Sequence, residues 1–169
     1  MKHFKTLLFA AILFIGATSF TQAQSKIAHI NTNELIEAMP QMKTAKAELE
    51  KLGKTYEAEI QKMATEYQNK IKQYQAEVET KTEEENRKRA EEVQTIEQSI
   101  RQYQTNAQED IQKKEGELMK PIFEKAKVAI QKVAKAQGFQ YVLDSTQGSG
   151  VLLADGKDLM ADVKKELGF

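Results

Sequence analysis

The chain has no cysteine among its 169 residues, which excludes disulfides, thiol nucleophiles, thiolate metal sites and a lipid carried on sulfur. Stability must come from packing and assembly. Proline is nearly as scarce: only Pro40 and Pro121 occur, and the 80 residues between them are rich in Glu, Lys, Gln and Ala, all good helix formers. Net charge is lacking too, with 25 basic and 25 acidic residues, so no strong field draws the protein to nucleic acid or anionic lipid. Phosphate loops, metal-ligand spacings and dinucleotide fingerprints do not occur.

The first residues carry an address. Lys2 and Lys5 form a positive start, Leu7 to Ile15 an apolar stretch and Thr21-Gln22-Ala23 a small-residue cleavage site, the pattern of a secretory signal removed after Ala23. The apolar stretch is shorter than the roughly 20 residues that span a bilayer. Removal leaves 23 basic and 25 acidic residues, a formal charge of −2, and one histidine, His29. No serine or cysteine nucleophile motif lies near it, and a lone histidine on a strand is ordinarily a packing or surface residue. The sequence thus offers no catalytic, cofactor-binding or metal-binding residue.

What the sequence does contain is an apolar repeat of eleven residues. Leu49, Ile60 and Ile71 form one file, Leu52, Met63 and Tyr74 a second, and Tyr56, Tyr67 and Val78 a third, with nearly everything between them polar or charged. Eleven residues over three turns is about 3.67 per turn, so each file stays on one side of a nearly straight helix. The files continue in phase through Val93, Ile96 and Ile100 to Ala107, Ile111, Leu118 and Ile122. A long arm with a narrow apolar seam suits a spacer, scaffold or clamp.

Strands at both ends of the chain decide how the arm folds. Lys26 to Asn31 reads as a strand, and Asn31 with Glu34 resembles a capping box opening a short helix that ends at Met39-Pro40. Past the arm, Pro121 fits the first turn of a further helical stretch, Ile122 to Ala136, stopped by Gly138. Gln140 to Asp144 and Val151 to Ala154 read as two strands joined by a glycine-rich turn, and Asp158 can cap a last helix with Leu159, Val163 and Leu167 on one face. A single helix between the prolines would be about 120 Å long and would hold the strands apart, yet isolated strands are not stable in water. The arm is therefore expected to be an antiparallel hairpin turning near Glu85 and Asn86, with its tip near 82–89. That turn pairs Val78 with Val93, Ile71 with Ile100, Ile60 with Ile111 and Leu49 with Ile122. Tyr56, Met63, Tyr67, Tyr74 and Tyr103 fall on the seam, with contact to a bound chain as a second role, and Gly53 and Gly116 sit at nearly one level as a candidate hinge.

The expected fold class is α+β: a coiled-coil-like helical hairpin, 41–121, projecting from a small β-strand body made of 24–40 and 122–169. About 65 residues outside the arm are too few to bury a comfortable core alone, so the strands are expected to be pooled in an oligomer. Ile27, Ile30, Phe139, Val142, Leu143, Val151, Leu152 and Leu153 are the candidates for that shared core.

These blocks together carry a resemblance. The exported start, KIAHIN, the short helix closing on MP, the charged hairpin, GFQYVLD, GVLLADG and the terminal DLMADVKKEL make a chain that resembles the Skp/OmpH-like family of periplasmic chaperones over its whole mature length. The resemblance implies a homotrimer whose arms enclose unfolded outer-membrane β-barrel proteins without ATP or any cofactor, with no nucleic acid partner and with membrane contact allowed but not required. Well-known relatives are strongly basic and this chain is slightly acidic, which argues against capture of clients by general positive charge, and the basic Lys81, Arg87, Lys88 and Arg89 at the tip share it with six glutamates, so no lipopolysaccharide site is carried over. The alternative reading is an envelope scaffold or spacer that binds a folded partner.

Overall fold

The computed structural model describes residues 25–169; the expected signal, Met1 to Ala23, lies outside them. In chain order the elements are strand β1 (Ile27–Ile30), helix α1 (Thr32–Ala38), helix α2 (Pro40–Glu77), a 3-10 turn (Val78–Thr80), helix α3 (Glu83–Ala136), strands β2 (Tyr141–Asp144) and β3 (Lys157–Asp158), and helix α4 (Met160–Leu167). The class is α+β, with a helical hairpin standing on a small three-stranded sheet.

Helices α2 and α3 run antiparallel, about 57 Å and 81 Å long at 1.5 Å per residue. The eleven-residue files form the seam: Leu49, Leu52, Tyr56, Ile60, Met63, Tyr67, Ile71 and Tyr74 are all half-buried, whereas Val78, the last of the third file, is exposed where the chain leaves α2. Apolar periodicity thus places the seam correctly, but the reversal occurs at 78–82 and not at the expected Glu85 and Asn86, which lie inside α3. Thr82 is the reason. Its hydroxyl accepts the Glu85 amide at 3.2 Å while the Glu85 carboxylate accepts the Thr82 amide at 2.9 Å, a reciprocal capping box. Glu83, Glu84 and Glu85 also place negative charge on the first turn, where the helix dipole favours it. Asn86 Nδ2 closes the tip by donating to the Val78 carbonyl at 2.8 Å.

An earlier turn shifts the register by more than one helical turn. Tyr56 meets Tyr103 and Asp110, and Glu48 meets Lys114, in place of the expected pairing of Ile60 with Ile111 and Leu49 with Ile122. Pro121 also departs from expectation. It does not open a new helix but lies within α3, where it removes the amide that would bond the Glu117 carbonyl. Gly138 ends the descent as expected, at φ +74°, a left-handed conformation that suits glycine.

The body is built from distant parts of the sequence. Strand β1 is central and parallel to both neighbours: Ile27 to Ile30 align with Tyr141 to Asp144 on one side, and Ala28 and His29 with Lys157 and Asp158 on the other. One face of the sheet presents Ala28 and Ile30, which are buried with Leu35, Met39, Ile122, Ala126, Leu159 and Val163, and Phe139 and Val142 pack against the margin of this core. Helix α1 is capped by Asn31, whose side chain accepts the Glu34 amide at 3.0 Å. Helix α4 is started by Asp158, which accepts the Met160 amide at 2.8 Å, and stopped by Gly168 at φ +86°.

The expected hairpin of two adjacent strands is not formed. Val151 to Ala154 belong to no strand, and the third strand is instead Lys157–Asp158, separated from β2 by β1. Polar groups explain the outcome. Asp144 accepts the Thr32 hydroxyl at 2.7 Å and the Thr146 amide at 2.9 Å, Thr146 donates to Asn31, and Ser149 donates to the Asp144 carbonyl. These bonds tie the chain beyond β2 to the start of α1, so it cannot fold straight back along β2.

Asp144 gives the body a pH dependence. Partial desolvation pushes its carboxyl up, but hydrogen bonds from Thr32 and Thr146 outweigh this and lower it to about 2. Since the folded-state value is depressed below the roughly 3.9 of an unfolded aspartate, the stabilisation is complete above about pH 4 and is lost as pH falls toward 2. For a partly exposed group the contribution is about 1 kcal/mol after solvent screening. The wild-type chain should lose its advantage over Asp144→Asn in urea melts between pH 6 and pH 2.5, and a gap independent of pH would show that Asp144 does not act through its charge.

Candidate functional site: the arm seam and the open side of the body

The arm holds its two helices together with tyrosines as much as with aliphatic residues. Tyr56 and Tyr103 meet edge to face across the seam at 5.9 Å between ring centres, and the Tyr56 hydroxyl donates to Asp110 at 2.6 Å. That hydrogen bond holds the Tyr56 phenol above its usual range. Nearer the tip, the Tyr74 hydroxyl donates to Glu92 at 2.5 Å, Lys70 also bonds Glu92, and Arg89 lies over the Tyr74 ring at 4.6 Å while its Nη2 bonds Glu77 at 2.5 Å. Glu77 is lowered by the Gln73 amide and by Arg89, and Glu92 by Lys70 and Tyr74. Hydroxyls and carboxylates on the seam fix register, because each needs one particular partner where an aliphatic contact would tolerate several. Met63 and Tyr67 are half-buried on the same stripe.

Sequence reasoning missed Arg89 and Thr82 as partners that define the tip. The Thr82-x-x-Glu85 spacing was the available signal for the second, whereas Arg89 becomes visible only once the helices are paired. Gly53 and Gly116 are offset along the hairpin: the Tyr56–Asp110 contact places Gly53 opposite position 113 and the Glu48–Lys114 contact opposite 109, about one to two turns from Gly116. Neither is there to admit a close neighbour, since a Cβ built on either meets no atom within 4 Å. Each glycine in a helix interior costs about 1 kcal/mol relative to alanine. Replacing both with alanine should raise the melting temperature and narrow the distribution of distances between spin labels on the arms; an unchanged distribution would remove the hinge.

The body has two exposed apolar regions. On the sheet face opposite the helices, Ile27, Tyr141 and Leu143 remain exposed, and beyond it Leu152 and Leu153 are 101% and 82% exposed. At the outer edge of β2 lies a groove of about 630 Å³ walled by Ile36, Phe123, Ile130, Phe139 and Val142. Of the eight residues expected in a shared core, Ile30 is buried within one chain, Phe139 and Val142 are at its margin, Val151 is half-buried, and Ile27, Leu143, Leu152 and Leu153 lie outside it. His29 sits on the same open face, with Nε2 3.2 Å from the Gly156 carbonyl oxygen.

A family model described as "Outer membrane protein (OmpH-like)" matches residues 26–167. The chain belongs to the OmpH-like family. Among solved structures, it is similar to a protein from Caulobacter crescentus CB15 assigned as an outer membrane chaperone (OmpH-like), with a TM-score of 0.77, 19% identity, and coverage of 85% of this chain and 83% of that one. At such low identity the likeness shows the fold: the hairpin on a small body is the OmpH-like architecture. No curated protein sequence matches the chain. Among the described residues no helix is long and apolar enough to cross a membrane, and no group of histidine and carboxylate side chains could hold a metal ion.

Proposed function

We propose that this OmpH-like chain is a periplasmic holdase that works without ATP, and that three copies pool their bodies so that their arms surround an unfolded outer-membrane protein. The observation that carries the reading is the pairing of a long, largely polar arm with a body that leaves Ile27, Tyr141, Leu143, Leu152 and Leu153 exposed. An all-parallel sheet ordinarily has both faces covered, and this one has a single covered face. Covering the other with further copies sets the arms side by side around a space. Membership of the OmpH-like family supports the chaperone role, and the signal-like start, outside the described residues, supports export.

Binding in this space must be weak and broad. The arms expose few large apolar side chains, and their tyrosines are engaged across the seam. Near-neutral charge argues against capture by a general positive field. Many weak contacts within an enclosure remain, a mode that tolerates diverse clients and lets them leave without chemical energy.

The test is light scattering as a urea-unfolded outer-membrane β-barrel protein is diluted into buffer with residues 24–169 at low and high salt. Suppression of aggregation at about one trimer per client, persisting in salt, is expected. Unchanged aggregation by a folded chain would favour the alternative, a scaffold for a folded partner, for which the stiff arm is the supporting feature.

A further inference from the structure

Near the tip of the arm the paired helices leave a notch of about 370 Å³ walled by Ile71, Tyr74, Val78, Ala90 and Val93. Val78 is the one large apolar side chain of the arm, 41–121, that remains exposed. Arg89 lines the same notch, although its side chain is only 17% exposed. Its Nη2 bonds Glu77 at 2.5 Å, while its Nη1 is buried without a hydrogen-bond partner. A buried donor left unpaired is costly, and the forked nitrogens of arginine match both oxygens of one carboxylate.

Glu77 does not supply that match, and it is poorly placed to keep its bond. One of its oxygens meets Arg89 and the other accepts from Gln73 Nε2 at 3.1 Å. It is also the last residue of α2, in a turn that holds no basic residue, where the helix dipole disfavours negative charge. A carboxylate entering the notch could engage Nη1 and Nη2 together and leave Glu77 to Gln73. The nearby Glu92 and Glu85 are paired with Lys70 and Lys81, which lessens their repulsion of such a ligand. At the rim, Asn86 spends its Nδ2 on the Val78 carbonyl, so its amide oxygen faces no such demand and can accept a peptide N–H; Gln75 borders the same opening.

The three features select one kind of ligand. An apolar wall, a guanidinium fork and an amide acceptor call for an apolar side chain, a carboxylate and an N–H close together. Within a polypeptide only the last residue carries all three on one Cα, since an internal leucine brings no carboxylate and an internal aspartate no apolar group. A fatty acid lacks the N–H, and its tail exceeds a notch at the lower end of the roughly 300–1,000 Å³ of small-ligand pockets.

We propose that the arm tip captures the free C-terminal residue of an unfolded chain when that residue is apolar, with the carboxylate on Arg89 and the side chain in the notch. The inference rests on the holdase reading above, to which it adds one oriented contact per arm. Several arms around one client would multiply a weak contact of this kind.

The test is fluorescence anisotropy with residues 24–169 and a short glycine-serine peptide, labelled at its N-terminus and ending in phenylalanine, as the free acid and as the C-terminal amide. The acid is expected to bind about tenfold more tightly, because the amide cannot accept the charge-assisted pair of hydrogen bonds. Arg89→Gln should erase the difference between the two peptides. Glu77→Gln, which removes the competing carboxylate and leaves the fork in place, should strengthen binding of the acid several-fold and leave the amide unchanged; this gain cannot arise from a damaged tip. Equal binding of acid and amide, or no gain with Glu77→Gln, would overturn the site, and so would palmitate displacing the acid peptide more effectively than the unlabelled acid peptide does, which would make it a lipid site. Light scattering with an unfolded β-barrel client separates the two levels: suppression of aggregation without preference for the acid removes only the tip site, whereas preference for the acid without suppression removes the holdase reading.

Discussion

Leu159→Ala is expected to destabilise the body by about 2 to 5 kcal/mol, the range for emptying a well-packed leucine site. Leu159 is fully buried at the start of α4, in the same cluster as Ala28, Ile30, Leu35 and Val163. Its amide donates to the His29 carbonyl at 3.0 Å and its carbonyl accepts the Val163 amide at 2.9 Å, so the substitution removes side-chain packing and leaves the backbone connections in place. The loss should be confined. The distal arm has its own seam, so urea unfolding followed at 222 nm should show the body melting early while much of the helical signal persists. A loss under 1 kcal/mol would mean that α4 does not close the core.

Pro121→Ala should act in the opposite direction. Proline in a helix interior costs about 3 kcal/mol relative to alanine, and alanine gives back up to about 1 kcal/mol because it leaves the unfolded chain freer. The net gain is about 2 kcal/mol, seen as a higher melting temperature. The residue lies within α3, where its ring lines a groove with Pro40, Ala45, Leu118 and Ile122 at the base of the arm. An alanine at 121 can donate to the Glu117 carbonyl, so the helix should stiffen there and the arm should sample a narrower range of angles to the body. Spin labels on the arm and body would register that change. A destabilised variant would instead assign the proline ring a packing role that exceeds the missing hydrogen bond.

These two outcomes bear on how the protein works. A small body with few large core residues is easily loosened, and the hydrogen bond missing at Pro121 gives the arm a weak point beside that body at which it can bend. If Pro121→Ala stabilises the chain yet weakens suppression of client aggregation, the interruption serves the capture of clients of different size. If suppression is unchanged, arm direction is set elsewhere, with Gly53 and Gly116 as the remaining candidates.

Much of the arm could be read from the residues alone. The files through Leu49, Leu52 and Tyr56 are a direct consequence of helical geometry, because a side chain is buried only if it returns to the same face at each turn. The local stops and starts were legible for the same reason: Asn31, Gly138, Asp158 and Gly168 act through bonds or dihedral angles that involve only near neighbours in sequence. The KIAHIN, GVLLADG and DLMADVKKEL blocks carried the family resemblance, and the match over 26–167 shows it.

Other features depend on contacts between residues far apart in the chain. Whether the reversal used Thr82 or Asn86 was a choice between nearby helix breaks, each compatible with the apolar files, and the pairing of Glu77 with Arg89 and of Tyr56 with Asp110 and Tyr103 favours the earlier one. Val151 to Ala154 has the composition of a strand, yet a strand exists only where a neighbour offers hydrogen bonds, and within one chain Asp144, Thr146 and Ser149 direct the backbone elsewhere. Local sequence by itself determined the helical character of the arm, the caps at Asn31, Gly138, Asp158 and Gly168 and the half-buried stripe, because those follow from the spacing of residues along one element. Tertiary structure alone decided the register of the arm, the parallel order β2-β1-β3 and the open edge beside β2, because each is set by which distant groups satisfy one another first.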